Sequence, residues 1–234
     1  MTASNLPLTI SVVTEDDDPG SNTIFHQIRH EILAGELDNN ERLKVSDLAK
    51  RFGVSTNPVR EALQQLRGEG LVYFVPNQGA RVRSIDTDFV RDVSEVGQQL
   101  EPYLVRYFVE TVSQEDIDQL VRIQDEIEFL NFADKQAHAR LDKQFHMTMY
   151  QNHYNRVAFK LWQQHREILW AISTRVPVSI GRRDAIFAEH RALIDCIRKQ
   201  DADATAKTLY KHVSDAGQHL VDKLSIKQRG NKDR

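Results

Sequence analysis

A mainly α chain in two parts, an N-terminal winged helix-turn-helix and a C-terminal antiparallel all-α bundle, is predicted by three observations. Two short apolar stripes of helical period meet at Gly53. An apolar run then breaks at Pro76-Asn77-Gln78-Gly79 and resumes, as a hairpin does. Beyond residue 84, almost everything to Lys223 keeps helical period with only short interruptions.

Residues 1–22 mix Thr, Ser, Asp, Pro and Gly, carry four acids and no Lys or Arg, and read as a mobile arm. Leu6, Leu8, Ile10 and Val12 alternate enough for part of it to pair as a strand. From Thr23 a helix is expected, with Phe25, Ile28, Ile32 and Leu33 on one face and Gly35 closing it. The stretch GELDNNERL follows as a loop. Ser46 can N-cap the next helix, whose apolar side is Leu48, Ala49 and Phe52. Gly53 stops it, since glycine takes the left-handed conformation cheaply. Ser55 can cap a second helix, and Pro58 is tolerated there because first-turn amides have no intrahelical partner.

Val59, Ala62, Leu63 and Leu66 form the buried stripe of that second helix, which turns Asn57, Arg60, Gln64 and Arg67 outward. Polar side chains exposed near a helix N-terminus suit entry into a DNA major groove. A small helical subdomain without nucleic acid would show the same stripe. Leu71–Val75 and Ala80–Arg83 are the expected hairpin strands.

In the bundle, helices are expected at 86–111, 114–132, 135–151, 154–175, 181–200 and 202–224. Pro102 should kink or divide the first. Ser113 gives the second a capped, acidic start, Pro177 and Gly181 break the chain between the fourth and fifth, and Asp201 caps the last. The domain expectation is an arm at 1–22, a reader at 23–84, a bundle at 85–224 and a disordered tail at 225–234.

The net charge of −3 hides a regional split. Residues 23–83 carry nine basic and seven acidic residues, whereas 84–224 carry eighteen basic and twenty-two acidic. The slight positive excess of the reader puts the weight on where its charges point, and on two copies acting together. Cys196, the only cysteine, permits no disulfide within the chain and lies in an apolar run, so a buried structural thiol is expected. No apolar run approaches the roughly 20 residues of a membrane span. A cytoplasmic protein is the expectation.

LDKQFHMTMYQN places Asp142 and His146 four residues apart, stacked on one helix face. Burying both is costly unless each is partnered. A metal ion can partner both, with His190 and His212, on two other expected helices, completing an Asp and three His set. Those ligands fit zinc, nickel or manganese. Four protein ligands on a six-coordinate ion leave two positions for water or an organic acid. The aromatic stretch from Trp162 to Trp170 either lines such a pocket or anchors an amphipathic helix. A metal-dependent enzyme would need a base, for which Glu189 could serve. The chain lacks an HExxH spacing, a Ser–His–Asp signature and a phosphate-cradling Gly loop, so an enzyme is not expected.

The segment GVSTNPVREALQQLRGEGLVYFVPNQGARV resembles the reader domain of GntR-family bacterial transcription factors. The resemblance implies that Ser55, Thr56, Asn57 and Arg60 contact bases or phosphates and that Gln78, Gly79 and Arg81 lie at the wing tip. Ser46 and the outward Gln64 join this set. Many members carry Arg in place of Thr56 and a basic residue in place of Ser46, so a different operator is expected.

The motifs D–FH, EH–LI and the late HV further resemble the FCD ligand-binding domain of one GntR subfamily, which often binds a metal through an Asp and three His. The match falls on Asp142, His146, His190 and His212, and Asn155 matches an Asn of that pattern. Members that bind carboxylates often have Arg one turn before the position of Glu101, where this chain has Gly97. Arg106, Arg140 and Arg166 are the candidates to replace it. The expectation is therefore a homodimeric, operator-binding repressor controlled by a small-molecule effector, an organic or sugar acid. The alternative keeps the reader and makes the metal purely structural.

Overall fold

The structure, a computed structural model, describes residues 19–232 and the side chains of residues 23–226. The expected strand within the N-terminal arm lies outside them. Two compact units are present, one built from residues up to His30 and Arg42–Arg81, the other from Glu31–Glu41 and the chain from Val82 onward.

The first part of the chain forms α1 (Pro19–Ala34), β1 (Arg42–Leu43), α2 (Val45–Phe52), α3 (Thr56–Gly68), β2 (Val72–Val75) and β3 (Gly79–Val82). Helix α1 starts before the expected Thr23, and its buried row is Ile24, Ile28 and Ile32 with Leu33. Phe25 is only half-buried, because Ile24 continues the i+4 row and Phe25 falls beside it, edge-on to His26. The expected loop before α2 contains β1, which pairs antiparallel with β3 (Arg42↔Arg81, Leu43↔Ala80) in the order β1-β3-β2. Two residues are too few to show alternation in sequence.

Ser46 does not cap α2. Lys44 occupies the cap position, and the Ser46 hydroxyl donates to Asp47 Oδ1 at 3.2 Å. Gly53 ends α2 at φ 68°, its N–H donating to the carbonyls of Ala49 and Lys50. Ser55 stands at the cap position of α3 without a side-chain capping bond. Val59, Ala62, Leu63 and Leu66 are wholly buried. Arg29 Nε donates to Glu69 at 2.7 Å, fastening α1 to the end of α3.

The bundle comprises α4 (Thr87–Thr111), α5 (Gln114–Leu130), α6 (Lys135–Tyr150), α7 (Arg156–Ser173), α8 (Ile180–Arg198) and α9 (Ala202–Lys232). Local capping fixes where these helices start. Asp86, Asp134, Asn155 and Ser179 each accept from a first-turn amide, and Ser113 and Asp116 form a reciprocal capping box. Asp201 accepts from the Ala204 amide, as expected. Pro102 does not divide α4, which buries Val90 and Val93 on one side of it and Leu104, Val105 and Phe108 on the other. Packing on both sides holds the helix together across the missing amide. The expected disordered tail instead continues α9 as far as Lys232. Cys196 is half-buried rather than buried, with Sγ 4.0 Å from Thr208 Oγ1.

Phe108, Leu120, Ile127, Phe145, Tyr150, Trp162, Leu193 and Leu209 belong to one continuous core. Helix α9 lies close against α4 at Gly217, where a β-carbon would stand 1.8 Å from Ser94 Oγ and 2.7 Å from Ser94 Cβ. Gly217→Ala should therefore destabilise the protein by about 1–3 kcal/mol, the usual cost of overpacking. Ser94→Gly should recover part of that loss in the double variant, and urea denaturation of the four-member cycle measures the coupling. Additive losses would refute this account of the crossing.

Candidate metal centre and nucleic-acid interface

Asp142 and His146 come from α6, His190 from α8 and His212 from α9. All four are buried, and one ligand atom from each lies within 4.8 Å of the others. His190 Nε2 is 3.7 Å and His146 Nε2 4.0 Å from Asp142 Oδ1. The Nε2 atoms of His190 and His212 have no hydrogen-bond partner although they are buried. Orphaned nitrogens of that kind are costly unless something else binds them.

The opposite edge of each ring faces a supporting group. His190 Nδ1 is 2.7 Å from Gln124 Oε1, and the Gln124 amide donates to Glu128 Oε1 at 2.8 Å. A carboxylate accepts only, so Gln124 must turn its NH2 to Glu128 and its oxygen to His190. His190 Nδ1 is then the protonated nitrogen, and the Nε2 lone pair faces Asp142. Glu128 is itself clasped by Arg191 Nε at 2.7 Å. His212 Nδ1 donates in the same way to Glu189 Oε2 at 2.8 Å, and Arg182 holds Glu189 at 2.9 Å. His146 Nδ1 lies 3.1 Å from Glu101 Oε2, which also accepts from the Tyr150 hydroxyl. His190 and His212 thus offer unpartnered Nε2 lone pairs, as metal-binding histidines require, while Arg166 Nη2 stands 3.4 Å from His146 Nε2. Bonds of about 2.0–2.2 Å from an ion would need only a small contraction of the four ligands.

Burial opposes ionisation of Glu101, but Arg166 and His146 outweigh it and lower its pKa to about 2. Burial likewise opposes the Asp142 carboxylate, while His146, Arg166 and His190 together hold it well below the usual carboxylate range. Burial, reinforced by His212, pushes His190 well below 6.5. His212 is lowered by burial, against the pull of Glu189. Both rings stay neutral, the form that binds a metal.

Arg166 on α7 is buried, with Nη2 3.3 Å from Asp142 Oδ2 and Nη1 3.9 Å from Glu101 Oε1. It brings a guanidinium beside Glu101 that Gly97 cannot supply; a β-carbon at Gly97 would already lie 3.8 Å from Glu101 Oε1. Trp170 Nε1 donates to Asp142 Oδ2 at 2.6 Å, leaving Oδ1 facing the histidines. A cavity of about 90 Å³ opens next to this group, lined by Asp142, Arg166, Trp170 and His212 and extending to Lys135 and His219.

The other expected effector residues lie elsewhere. Arg106 is ion-paired with Asp203 at 2.6 Å, Arg140 is exposed, and neither lines the cavity. Asn155 caps α7 through the Ala158 amide and donates to the Tyr103 hydroxyl. Trp162 packs in the core against Tyr150, so only the Arg166–Trp170 end of the aromatic stretch faces the cavity. Sequence reasoning missed Gln124, and it noted Glu101 only as a reference position and Glu189 only as a base. It also gave His138 and His219 no role, yet both line the cavity.

In the first unit, Ser55, Thr56, Asn57, Arg60 and Gln64 are exposed on α3, and Ser46 is exposed on α2. Asn57, Arg60 and Gln64 share one helix face by their spacing of three and four. Gln78 and Gly79 are exposed at the hairpin tip, where half-buried Arg81 donates to Gln78 Oε1 at 3.2 Å. The structure thus leaves nearly all of the expected contact set accessible.

A three-stranded wing with a two-helix reader, in one chain with a helical bundle that holds a buried Asp/His₃ group, is the make-up of a DNA-binding transcriptional regulator. Residues 21–82 match the gntR family of bacterial regulatory proteins and residues 92–215 match the FCD domain, so the chain belongs to the GntR-family transcriptional regulators that carry an FCD domain. It is 30% identical over 209 residues to the transcriptional repressor NanR of Cronobacter sakazakii, covering 80% of this chain and 77% of that protein. The gluconate operon transcriptional repressor of Bacillus licheniformis is 22% identical, over 87% of this chain and 85% of its own length. The structure of Escherichia coli McbR/YncC superposes with a TM-score of 0.67 at 17% identity, covering 88% of this chain and 98% of that one, and supports the fold alone. The family and these relatives are regulators, not enzymes. Among the described residues no helix is long and apolar enough to cross a membrane.

Two outcomes follow from the geometry of the centre. Gln124→Leu should weaken metal binding about 10–100-fold while the fold persists, as measured by calorimetry with zinc; undiminished affinity would deny Gln124 its orienting part. Metal-free protein should lose stability as pH falls through 6.5, because unfolding frees His190 and His212 to take up protons that the native state refuses. His138 and His219 are lowered by burial and act with the same sign. Each fully buried ring contributes on the order of 1 kcal/mol per pH unit, and urea denaturation at pH 7.5 and 5.5 should show the loss.

Proposed function

We propose that the protein is a metal-dependent repressor that binds its operator as a homodimer and releases it when an organic or sugar acid binds at the ion. The observation that carries this reading is the pair of buried, unpartnered Nε2 atoms of His190 and His212 beside Asp142 Oδ1, with the far ring edges held by Gln124 and Glu189. Asp142, His146, His190 and His212 would hold the ion. Three imidazoles and one carboxylate favour zinc, with nickel or manganese compatible. When bound, the ion supplies a Lewis-acidic anchor for a carboxylate. Arg166 stands beside that anchor and orients the acid.

Two winged readers related by a two-fold axis suit a pseudo-palindromic operator, one half-site per subunit. Arg60, with Asn57 and Gln64, would meet base edges or phosphates, and Gln78 to Arg81 would meet the wing-side backbone. Relatives named as repressors support repression as the mode. The effector acts by preferring one arrangement of the dimer, and the size of the switch equals its difference in affinity between the two arrangements.

Arg60→Ala should weaken operator binding at least ten-fold and leave zinc binding intact. His146→Ala should abolish zinc binding and the response to acids. A mobility-shift titration of both variants on DNA from the protein's own promoter region, with and without zinc, checks this division. Operator binding indifferent to Arg60 would refute the reader assignment, and an acid response that survives removal of the metal would refute the sensing role of the ion.

A further inference from the structure

Helices α6, α7 and α9 each place two polar side chains along the cavity seven residues apart. The pairs are Lys135 and Asp142, Arg166 and Ser173, and His212 and His219; α8 adds Arg182, whose guanidinium is bonded to Glu189 behind the metal end. Asp142, Arg166, Glu189 and His212 stand at the metal end. Lys135, Ser173 and His219 therefore stand two helical turns away, about 10 Å along the helix axes. Between the ends the wall is mainly apolar, formed by Ala139, Leu169, Trp170, Ile186 and Ala216, with the His138 ring as its one polar member.

The far end is closed by the segment after α7. Lys135 Nζ donates to the Val176 carbonyl at 3.4 Å, and His219 is hydrogen-bonded to the Pro177 backbone. Several buried polar atoms of the residues that line the cavity have no hydrogen-bond partner: His219 Nε2, His138 Nδ1, Arg166 Nε and Arg182 Nη2. The Arg182 side chain is only 9% exposed, so water does not readily satisfy its free Nη2.

The charges are divided as the polar atoms are. At the metal end, Asp142, Glu101 and Glu189 stand against Arg166 and Arg182, leaving one negative charge that a divalent ion converts to one positive. Lys135 adds a second positive charge at the far end. With the ion in place the cavity carries two separated positive charges and an apolar waist.

We infer that the effector is an elongated dianion with an acid group at each end and an uncharged middle; this rests on the reading that an acid binds at the loaded metal. One carboxylate sits on the ion beside Arg166. The second is held by Lys135, with His219 at the same end of the cavity. Subtracting a metal–oxygen bond of about 2 Å and a hydrogen bond of about 3 Å from the two-turn span leaves roughly 5–6 Å between the acid groups. That is about the spacing in a five- or six-carbon α,ω-diacid. A monoacid leaves Lys135 unused, and a shorter diacid cannot reach it.

The test is calorimetric titration of zinc-loaded, full-length protein with unbranched diacids from malonate to suberate and with monoacids of the same chain lengths. Affinity should peak at five or six carbons and exceed that of the matching monoacid about ten-fold. Lys135→Met and His219→Leu should remove that advantage while monoacid affinity stays unchanged. Equal affinity for the two series at every length, or variants that weaken both alike, would overturn the second anchor while leaving acid binding at the metal standing. If neither series binds zinc-loaded protein, the acid-sensing reading falls and this inference with it.

Discussion

Two carboxylates, Asp142 and Glu101, lie inside a helical bundle, and the fold must answer for both charges. A carboxylate removed from water costs several kcal/mol unless opposite charge and hydrogen bonds compensate. Arg166 reaches both from α7, Tyr150 and Trp170 add one donor to each, and three histidines close the ring. These partners are spread over α6, α7, α8 and α9 and Glu101 itself lies on α4, so the centre is assembled only when the five helices are in register. The apolar core around it, including Phe145 stacked on His190 at 4.3 Å, supplies that register.

Gln124 and Glu189 extend the same logic one layer outward. Each accepts from an imidazole Nδ1 and is held in turn by a charged neighbour, Glu128 or Arg182. A neutral ring with its proton fixed on one nitrogen offers a lone pair on the other. The two supporting side chains therefore do more than fill space: they decide which nitrogen faces the centre. Gly97 and Arg166 show a related economy, since a guanidinium absent from α4 arrives from α7 at nearly the same carboxylate.

How much of this was legible in the sequence depended on whether the information was local. Asp142 and His146 share a helix face through a spacing of four, and the stripe of Val59, Ala62, Leu63 and Leu66 fixed the outward face of α3 in the same way. His190 and His212 could be chosen because each lies among apolar residues of its own helix and matches a family motif. Gln124 could not, because nothing on α5 says that its amide meets α8. Arg106 and Arg140 carried the right chemistry but do not line the cavity, and Asn155 is used up in capping α7. The strand Arg42–Leu43 exists only because β3 is there to pair with it. Capping errors such as Ser46 are of the same kind, a shift of one or two residues that local signals do not settle.

The hydrogen bond from Trp170 to Asp142 has an optical consequence. The chain holds two tryptophans, and the other, Trp162, is sealed in the core with its ring perpendicular to Trp170 at 5.9 Å. Any change in the charge or bonding of Asp142 alters the field across the Trp170 indole, whereas Trp162 stays in the same apolar surroundings. The molecule thus carries an intrinsic fluorophore wired to its own buried carboxylate.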